Sequence, residues 1–338
     1  MPKISMILRL ILYVCLSAVI FSLGFRADNI GTDTSGYIEY YNRFNNGTGD
    51  VYKYEFIFYF LSWSFTSLHI SVGYFFTCLC FIFCCLCGLI ANKINQQVDL
   101  VAGLAATFLF TMIFFFCSPF FFNSQINVIR QGLSAAALIL CYLYFIKPGD
   151  LRCALFAAIC AVGFHSTAFI YIFFAGLMFY SYLTILWLVV SLAACYTLGL
   201  TKNVLVLIPN IMHYNVLDKL IEYQNESVYR AGHRFDFVCF TLGVGLMFHV
   251  SGTKLLPEKE KINFYLFLKI YWIMVMPFFI VGFFAYSDRW LFNGWLYLSV
   301  LSAAFFSFFQ KRAQDVKPLI YIFMFLSIYV IFKTKGYY

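Results

Sequence analysis

Charge is the scarcest commodity in this chain. Only 11% of its 338 residues are Asp, Glu, Lys or Arg, against 63% hydrophobic, and the mean hydropathy is +0.83. No soluble domain has enough interior for that much apolar surface, so a water-soluble fold is excluded and the solvent of most of the chain is lipid. Alternation of polar and apolar residues is missing too. In hydrocarbon only helices and closed barrels satisfy the backbone, and continuous apolar runs exclude the barrel. The motifs of soluble catalysis are absent: there is no GxSxG, HExxH, P-loop or GxGxxG, and Ser124 has no His/Asp constellation. Soluble hydrolase, nucleotide-binding and metalloprotease chemistries have no residues to carry them. The net charge of +8 is spread over the loops without a basic stripe, so no nucleic-acid partner is expected. Twelve cysteines lie within or beside apolar segments, and CLCFIFCCLC lacks a nearby histidine. They read as small helix residues, not metal ligands, and no metal or other cofactor is expected.

What is present is a series of apolar runs. The expectation is an all-α, polytopic integral membrane protein of about 10–11 transmembrane helices, some of them short. The first run, Ile7 to Phe25, lacks a small-x-small cleavage site and reads as a retained span with a cytoplasmic N-terminus. The region from Phe56 to Ala91 is too long for one crossing and divides into an interfacial piece near Phe56–Phe65 and a span near Ile70–Ala91. Further spans are expected near Leu100–Phe116, Ile129–Ile146, Phe235–Val250, Phe264–Ala285 (with Pro277 inside), Leu291–Phe309 and Leu319–Phe332. Between Cys153 and Leu200 charge is nearly absent, and either two ordinary or three short crossings fit. Three would place the loops 26–55 and 202–234 outside, on one face with Asp33, Arg130, Arg234 and Arg289; two would invert everything downstream. No internal repeat or low-complexity linker is visible, so residues 1–338 read as one domain.

Against this background a few polar residues stand out. Arg130 lies at the mouth of a span in NVIRQGLSAAALIL, where an ionisable group costs at least about 2.5–3.5 kcal/mol at mid-depth and less near the interface. Asn127, Arg130 and Gln131 at i, i+3 and i+4 would share a helix face, and a guanidinium beside amides can grip phosphate oxygens. The loop FRADNIGTDTSGYIEYYNRFNNGTGDVYKYEF mixes Asp28, Asp33, Glu39, Asp50 and Glu55 with Tyr37, Tyr40, Tyr41, Tyr52 and Tyr54, a composition suited to carbohydrate or to an interfacial aromatic belt. His165 interrupts an apolar stretch and could be a base or a donor to a hydroxyl or phosphate. Arg230, His233 and Arg234 precede a span. On a helix Arg230 and Arg234 would project together and could clamp a diphosphate, while Asp288 and Arg289 could form a local ion pair.

Taken in order, FRADNIGTDTSGY, YEFIFYFLSW, NVIRQGLSAAALIL, FHSTAFIYIF and YRAGHRFDF resemble the EpsG-like family of bacterial polysaccharide polymerases, which includes Wzy-type O-antigen polymerases. The resemblance covers nearly the whole chain. It implies a membrane glycosyltransferase of GT-C-like architecture in the bacterial inner membrane, with its site facing the periplasm. Its partners would be undecaprenyl-pyrophosphate-linked oligosaccharide repeat units, a chain-length regulator protein and a flippase. A growing oligosaccharide would pass from undecaprenyl pyrophosphate to the non-reducing end of another lipid-linked unit, with inversion and without a metal. The site expected from this is Arg130, His165 and Asp33 as catalytic groups, with Arg234, Arg230, Arg289, Gln131, Tyr37, Glu55 and His233 binding substrate; His165 and Asp33 both remain candidates for the base. An O-antigen ligase, another lipid-linked glycosyltransferase or a lipid-linked oligosaccharide flippase are the alternatives.

Overall fold

The computed structural model describes residues 16–47, 54–98, 111–146, 150–204, 232–284 and 286–310. The expected span near Leu319–Phe332, most of that near Leu100–Phe116, most of the loop 202–234 and Arg230 lie outside them. Regular structure among the described residues is all helical. The elements are α1 (Thr34–Asn45), α2 (Phe56–Ser67), α3 (Val72–Val98), α4 (Pro119–Ile126), α5 (Ile129–Phe145), α6 (Leu151–Phe164), α7 (Ala168–Phe174) followed by a 3₁₀ turn (Ala175–Phe179), α8 (Tyr182–Thr197), α9 (Phe235–Leu255), α10 (Glu258–Val281) and α11 (Ser287–Gln310). Four of them, α3, α9, α10 and Ser287–Phe309 of α11, are long and apolar enough to cross a bilayer, so the chain is membrane-embedded. Between residues 151 and 197 lie α6 of 14 residues, α7 of 7 residues with its five-residue 3₁₀ turn, and α8 of 16 residues. The chain divides into two compact units, residues 1–169 with 318–338 and residues 170–317.

In the first unit α5 is the centre. From Gln131 to Leu143 every residue is buried, which a helix achieves only when neighbours surround it. On α6, Ala154, Ala157, Ala158 and Ala161 form the buried face, and these small side chains let the backbones of α5 and α6 approach until Ser134 donates to the carbonyl of Ala161 at 2.8 Å. The opposite face of α6 presents Leu151, Leu155, Phe156 and Ile159 outward, as lipid as solvent requires. Since α6 follows α5 after a short turn, the start of α5 and the end of α6 meet at one end of the unit. At the other end Lys93 pairs with Asp150, and Gln97 donates to the carbonyl of Leu143 at 2.8 Å.

Two local features differ from the sequence-based expectation. The loop 26–55 contains a 12-residue helix, α1, and Thr34, Tyr37, Tyr40 and Tyr41 form its buried face. Three of the tyrosines are therefore packing residues: Tyr40 rests on Phe44 and Tyr54, Tyr37 on Tyr54 and Phe58, and the Tyr41 hydroxyl donates to the carbonyl of Ile70 at 2.7 Å. The i, i+3, i+6 and i+7 spacing of Thr34, Tyr37, Tyr40 and Tyr41 puts them on one side of a helix, and a polar opposite side suits an amphipathic helix. The second difference is a break between α4 and α5 at Asn127–Val128, where Val128 has φ −106° and ψ 49°. Asn127 therefore does not share a helix face with Arg130 and Gln131. It closes α4, and its Oδ1 instead accepts from the Thr32 amide at 2.8 Å.

In the second unit α10 is buried from Phe267 to Phe279 and runs through Pro277. Polar side chains tie it to its neighbours through backbone carbonyls: Tyr271 donates to Thr241 at 2.8 Å, and Tyr297 on α11 donates to Phe267 at 3.0 Å. Lys269, a buried cation unremarked in the sequence reading, gives its amine to the carbonyls of Met178 (2.8 Å) and Tyr180 (3.1 Å), where the 3₁₀ turn ends. Carbonyls left free at a helix end attract a cation.

Candidate functional site

The site of the first unit is assembled from helix ends. Arg130 is the second residue of α5, His165 follows the last residue of α6 in extended conformation (φ −157°, ψ 121°), and Glu55 precedes α2 (φ −67°, ψ 156°). Positions 75 and 110 residues apart in sequence thus meet on one carboxylate. Glu55 Oε2 accepts from Arg130 Nη1. Its Oε1 accepts from three groups: His165 Nδ1 at 2.8 Å, the Ser166 amide at 3.0 Å and the Ser166 hydroxyl at 3.2 Å. The Arg130 guanidinium also stacks on the Tyr54 ring at 4.0 Å and contacts the Tyr37 hydroxyl. Side chains of Glu55, Arg130 and His165 retain 16–19% exposure, enough to leave the cluster reachable while removing most of its water.

The turn that carries Asp33 is bound to the same region. Gly31 has φ +90°, and a Cβ there would lie 2.3 Å from Ile126 and 2.5 Å from Asn127 Oδ1, so only glycine allows this approach. Arg26 clasps the turn from below: Nε donates to Thr34 Oγ1 at 3.2 Å and Nη1 to the Leu23 carbonyl at 2.7 Å, with the guanidinium 4.4 Å over Phe76. Asp33 occupies the N-cap position of α1, accepts from Thr32 Oγ1 at 3.2 Å, and its charge is felt at the Tyr54 hydroxyl. Tyr37 is buried and Gln131 sits inside the α5 packing.

Electrostatics in the cluster follow from these contacts. Burial pushes the Glu55 carboxyl up, but the hydrogen bond from His165, the Arg130 charge and the Ser166 amide outweigh it and hold the group well below the ordinary carboxylate range. The sign of the pH effect follows: with the folded value depressed, the stabilising contribution is complete above the unfolded value and is lost as pH falls toward the folded one. From about pH 5 downward the wild type should lose thermal stability faster than Glu55→Gln, which has no proton to take up. Melting curves of the detergent-solubilised pair across that range check this; parallel loss in both proteins contradicts the ionised Glu55.

In the second unit a separate polar group forms where α8 ends and α9 and α11 begin. Gly232 (φ +109°) and Arg234 (φ −102°, ψ 78°) do not have helical backbone angles; Arg230, expected to align with Arg234 at i, i+4, lies outside the described residues. Arg234 is held by Asp236 through two bonds, Nε to Oδ1 at 2.9 Å and Nη2 to Oδ2 at 2.6 Å, and stacks on Phe237 at 3.6 Å. Its amide donates to the Tyr196 hydroxyl at 3.0 Å, and His233 packs on the Tyr196 ring with centroids 5.3 Å apart. Asp288 is close enough to be felt by Arg234, and Arg289 stacks on Tyr286 at 4.5 Å. The sequence-predicted residues thus divide between the units: Asp33, Tyr37, Glu55, Arg130, Gln131 and His165 in the first, and His233, Arg234 and Arg289 in the second. Among the described residues no group of three His, Cys, Asp or Glu side chains is placed to hold a metal ion.

The family model for EpsG matches residues 6–337, almost the entire chain, and this decides the family. The chain belongs to the EpsG family. Membership supports polysaccharide-polymerase function in general, of glycosyltransferase type. No curated protein and no solved structure matches this EpsG-family chain. Glu55 is the residue whose place was least visible beforehand. In the sequence it looked like one sugar-binding carboxylate among several, whereas in the EpsG-family fold it joins Arg130 to His165. The available signal was its position directly before an apolar run, where an acid at a helix start is held close to the membrane.

Proposed function

We propose that this protein polymerises a bacterial O-antigen or exopolysaccharide at the periplasmic face of the inner membrane. It would transfer a growing oligosaccharide from undecaprenyl pyrophosphate to the non-reducing end of another lipid-linked repeat unit. The observation that carries the reading is the Arg130–Glu55–His165 cluster at the end of an otherwise apolar helix bundle. Glycosyl transfer from a lipid diphosphate needs positive charge beside a leaving group whose charge grows and a group that receives a hydroxyl proton. Arg130 is fixed in place before substrate arrives, so it needs no reorganisation when that charge develops. Arg234, restrained by Asp236 and Phe237, is the corresponding cation of the second unit. The outward orientation draws support from the opposite end of the first unit, where Lys93 pairs with Asp150 and the sequence KPGDLR is basic. A chain-length regulator and a flippase would work alongside it.

The reading is tested with purified full-length protein and lipid-linked repeat units extracted from a strain deleted for the gene, with no nucleotide sugar added. Elongation to a ladder of lipid-linked chains is the expected result. In cells, deletion should leave surface lipid carrying a single repeat unit. Long chains stranded on the carrier lipid would instead identify a ligase, and unelongated units accumulating on the cytoplasmic side a flippase.

A further inference from the structure

Two candidates for the proton acceptor, His165 and Asp33, follow from sequence, and the geometry distinguishes them. An ionised carboxylate has lone pairs only, so every hydrogen bond at Glu55 must be given to it. Oε1 is therefore the acceptor of the His165 Nδ1 hydrogen at 2.8 Å, flanked by the Ser166 amide and hydroxyl, while Arg130 holds Oε2. With the proton on Nδ1, the neutral ring keeps its basic lone pair on Nε2. The backbone that carries the ring is fixed in the bend between α6 and α7: the His165 amide donates to the Ala161 carbonyl at 3.0 Å and its carbonyl accepts from the Ala168 amide at 3.0 Å. Asp33 stands at the N-cap position of α1 and accepts from the Thr32 hydroxyl at 3.2 Å.

We propose that His165 Nε2 takes the proton of the attacking sugar hydroxyl, and that Glu55 is the positioning residue that sets its tautomer and orientation. The assignment rests on the polymerase reading above. In the step, the acceptor oxygen loses its proton to Nε2 and bonds to the anomeric carbon of the donor chain. The bond from that carbon to the diphosphate oxygen breaks, and undecaprenyl diphosphate leaves with the electron pair. Glu55 carries the countercharge for the imidazolium that forms, and the proton then passes to water. Among the described residues, Glu55 ahead of α2 faces the ring directly; behind it stand Arg130 on α5, which pairs with Glu55, the Tyr54 ring under that guanidinium, and the Tyr37 hydroxyl that contacts it. Arg130 then has a second effect besides facing a leaving group: it keeps Glu55 ionised and in register.

The test combines kinetics with the state of the ring. Full-length protein in lipid nanodiscs elongates repeat units extracted from the deletion strain, and His165→Gln should be slower by about 10²–10⁴. Glu55→Gln keeps the shape but not the charge; it should lower kcat by about 10–100-fold with a smaller change in KM, and Glu55→Asp should restore part of the loss. Nitrogen-15 NMR of histidine-labelled protein, with His165 assigned by its loss in His165→Gln, should show Nδ1 protonated and Nε2 bare in the neutral ring. The chain has five histidines, so the assignment is tractable. His165→Gln within about threefold of the wild type, or a ring protonated at Nε2, overturns the assignment while leaving a working polymerase. Wild-type protein that elongates nothing overturns the polymerase reading and this assignment together. The NMR measurement on the wild type decides the tautomer even where a Glu55 variant fails to fold.

Discussion

Arg130→Met is expected to remove chain polymerisation and to destabilise the first unit, whereas Arg130→Met with Glu55→Met should recover much of the stability and none of the activity. The reasoning is the asymmetry of buried ion pairs. Taking away one member leaves an unpaired charge in a site with little water, and losses of about 3–5 kcal/mol are typical when that happens. Here both side chains keep some exposure and His165 still donates to Glu55, so the lower end of that range is expected. Replacing both members with apolar residues of similar volume removes the desolvation cost along with the attraction, which is often neutral or better. Chemistry does not recover, because the acceptor of the His165 hydrogen and the cation beside the leaving group are both gone. Thermal denaturation of the four proteins of the cycle and surface-polysaccharide ladders from cells expressing them at equal level provide the measurements. Single-mutant cells with long-chain polysaccharide would remove Arg130 from the mechanism.

The second large effect is expected at Gly132, two residues along α5 from Arg130. A Cβ placed there would stand 2.4 Å from Ser124 Cβ and 2.8 Å from the Ser124 carbonyl oxygen, so α4 and α5 could not keep their present approach. Backbone, not a flexible side-chain tip, is in the way. Gly132→Ala should therefore cost about 1–3 kcal/mol, and Gly132→Val more, since overpacking forces the helices apart. Because α4 ends at Asn127, which holds the Thr32 turn, the shift would travel directly to the groups around Glu55. Ser124→Gly in the Gly132→Ala background removes the nearer clash and should return part of both stability and activity. A Gly132→Ala protein melting with the wild type would show that the packing is looser than the distances indicate.

Much of the architecture was legible because lipid makes it so. With hydrocarbon as solvent, continuous apolar runs become helices of nearly the expected extent: α5 ends within a residue of the anticipated Ile129–Ile146, and α2 and α3 separate where two elements were drawn. What failed to show was decided by contacts between distant segments or by backbone bends. The break at Asn127–Val128 looks like uninterrupted helix in NVIRQ, and only Gly132, a small residue two positions after the arginine, hints at the close pass of α4 against α5. Similarly the tyrosines of YIEYYNRF read as an open aromatic loop until their helical spacing is taken seriously; their rings then turn inward. Of the site, Arg130 and His165 stood out because polar groups in apolar runs are costly. Their common partner did not stand out, since Glu55 lies among other acids in a polar loop and no local pattern announces a pairing across 75 and 110 residues.

The complete enclosure of α5 has a consequence for how the protein lives with its bilayer. A helix with no acyl-chain contact from Gln131 to Leu143 is insulated from changes in membrane thickness, and the strain of mismatch falls on α6, whose outward Leu155, Phe156 and Ile159 meet the lipid. Tilting there can follow a thicker or thinner membrane while the strut bearing Arg130 keeps its depth. The arginine is in this way held by protein alone, at a level the surrounding lipid does not set.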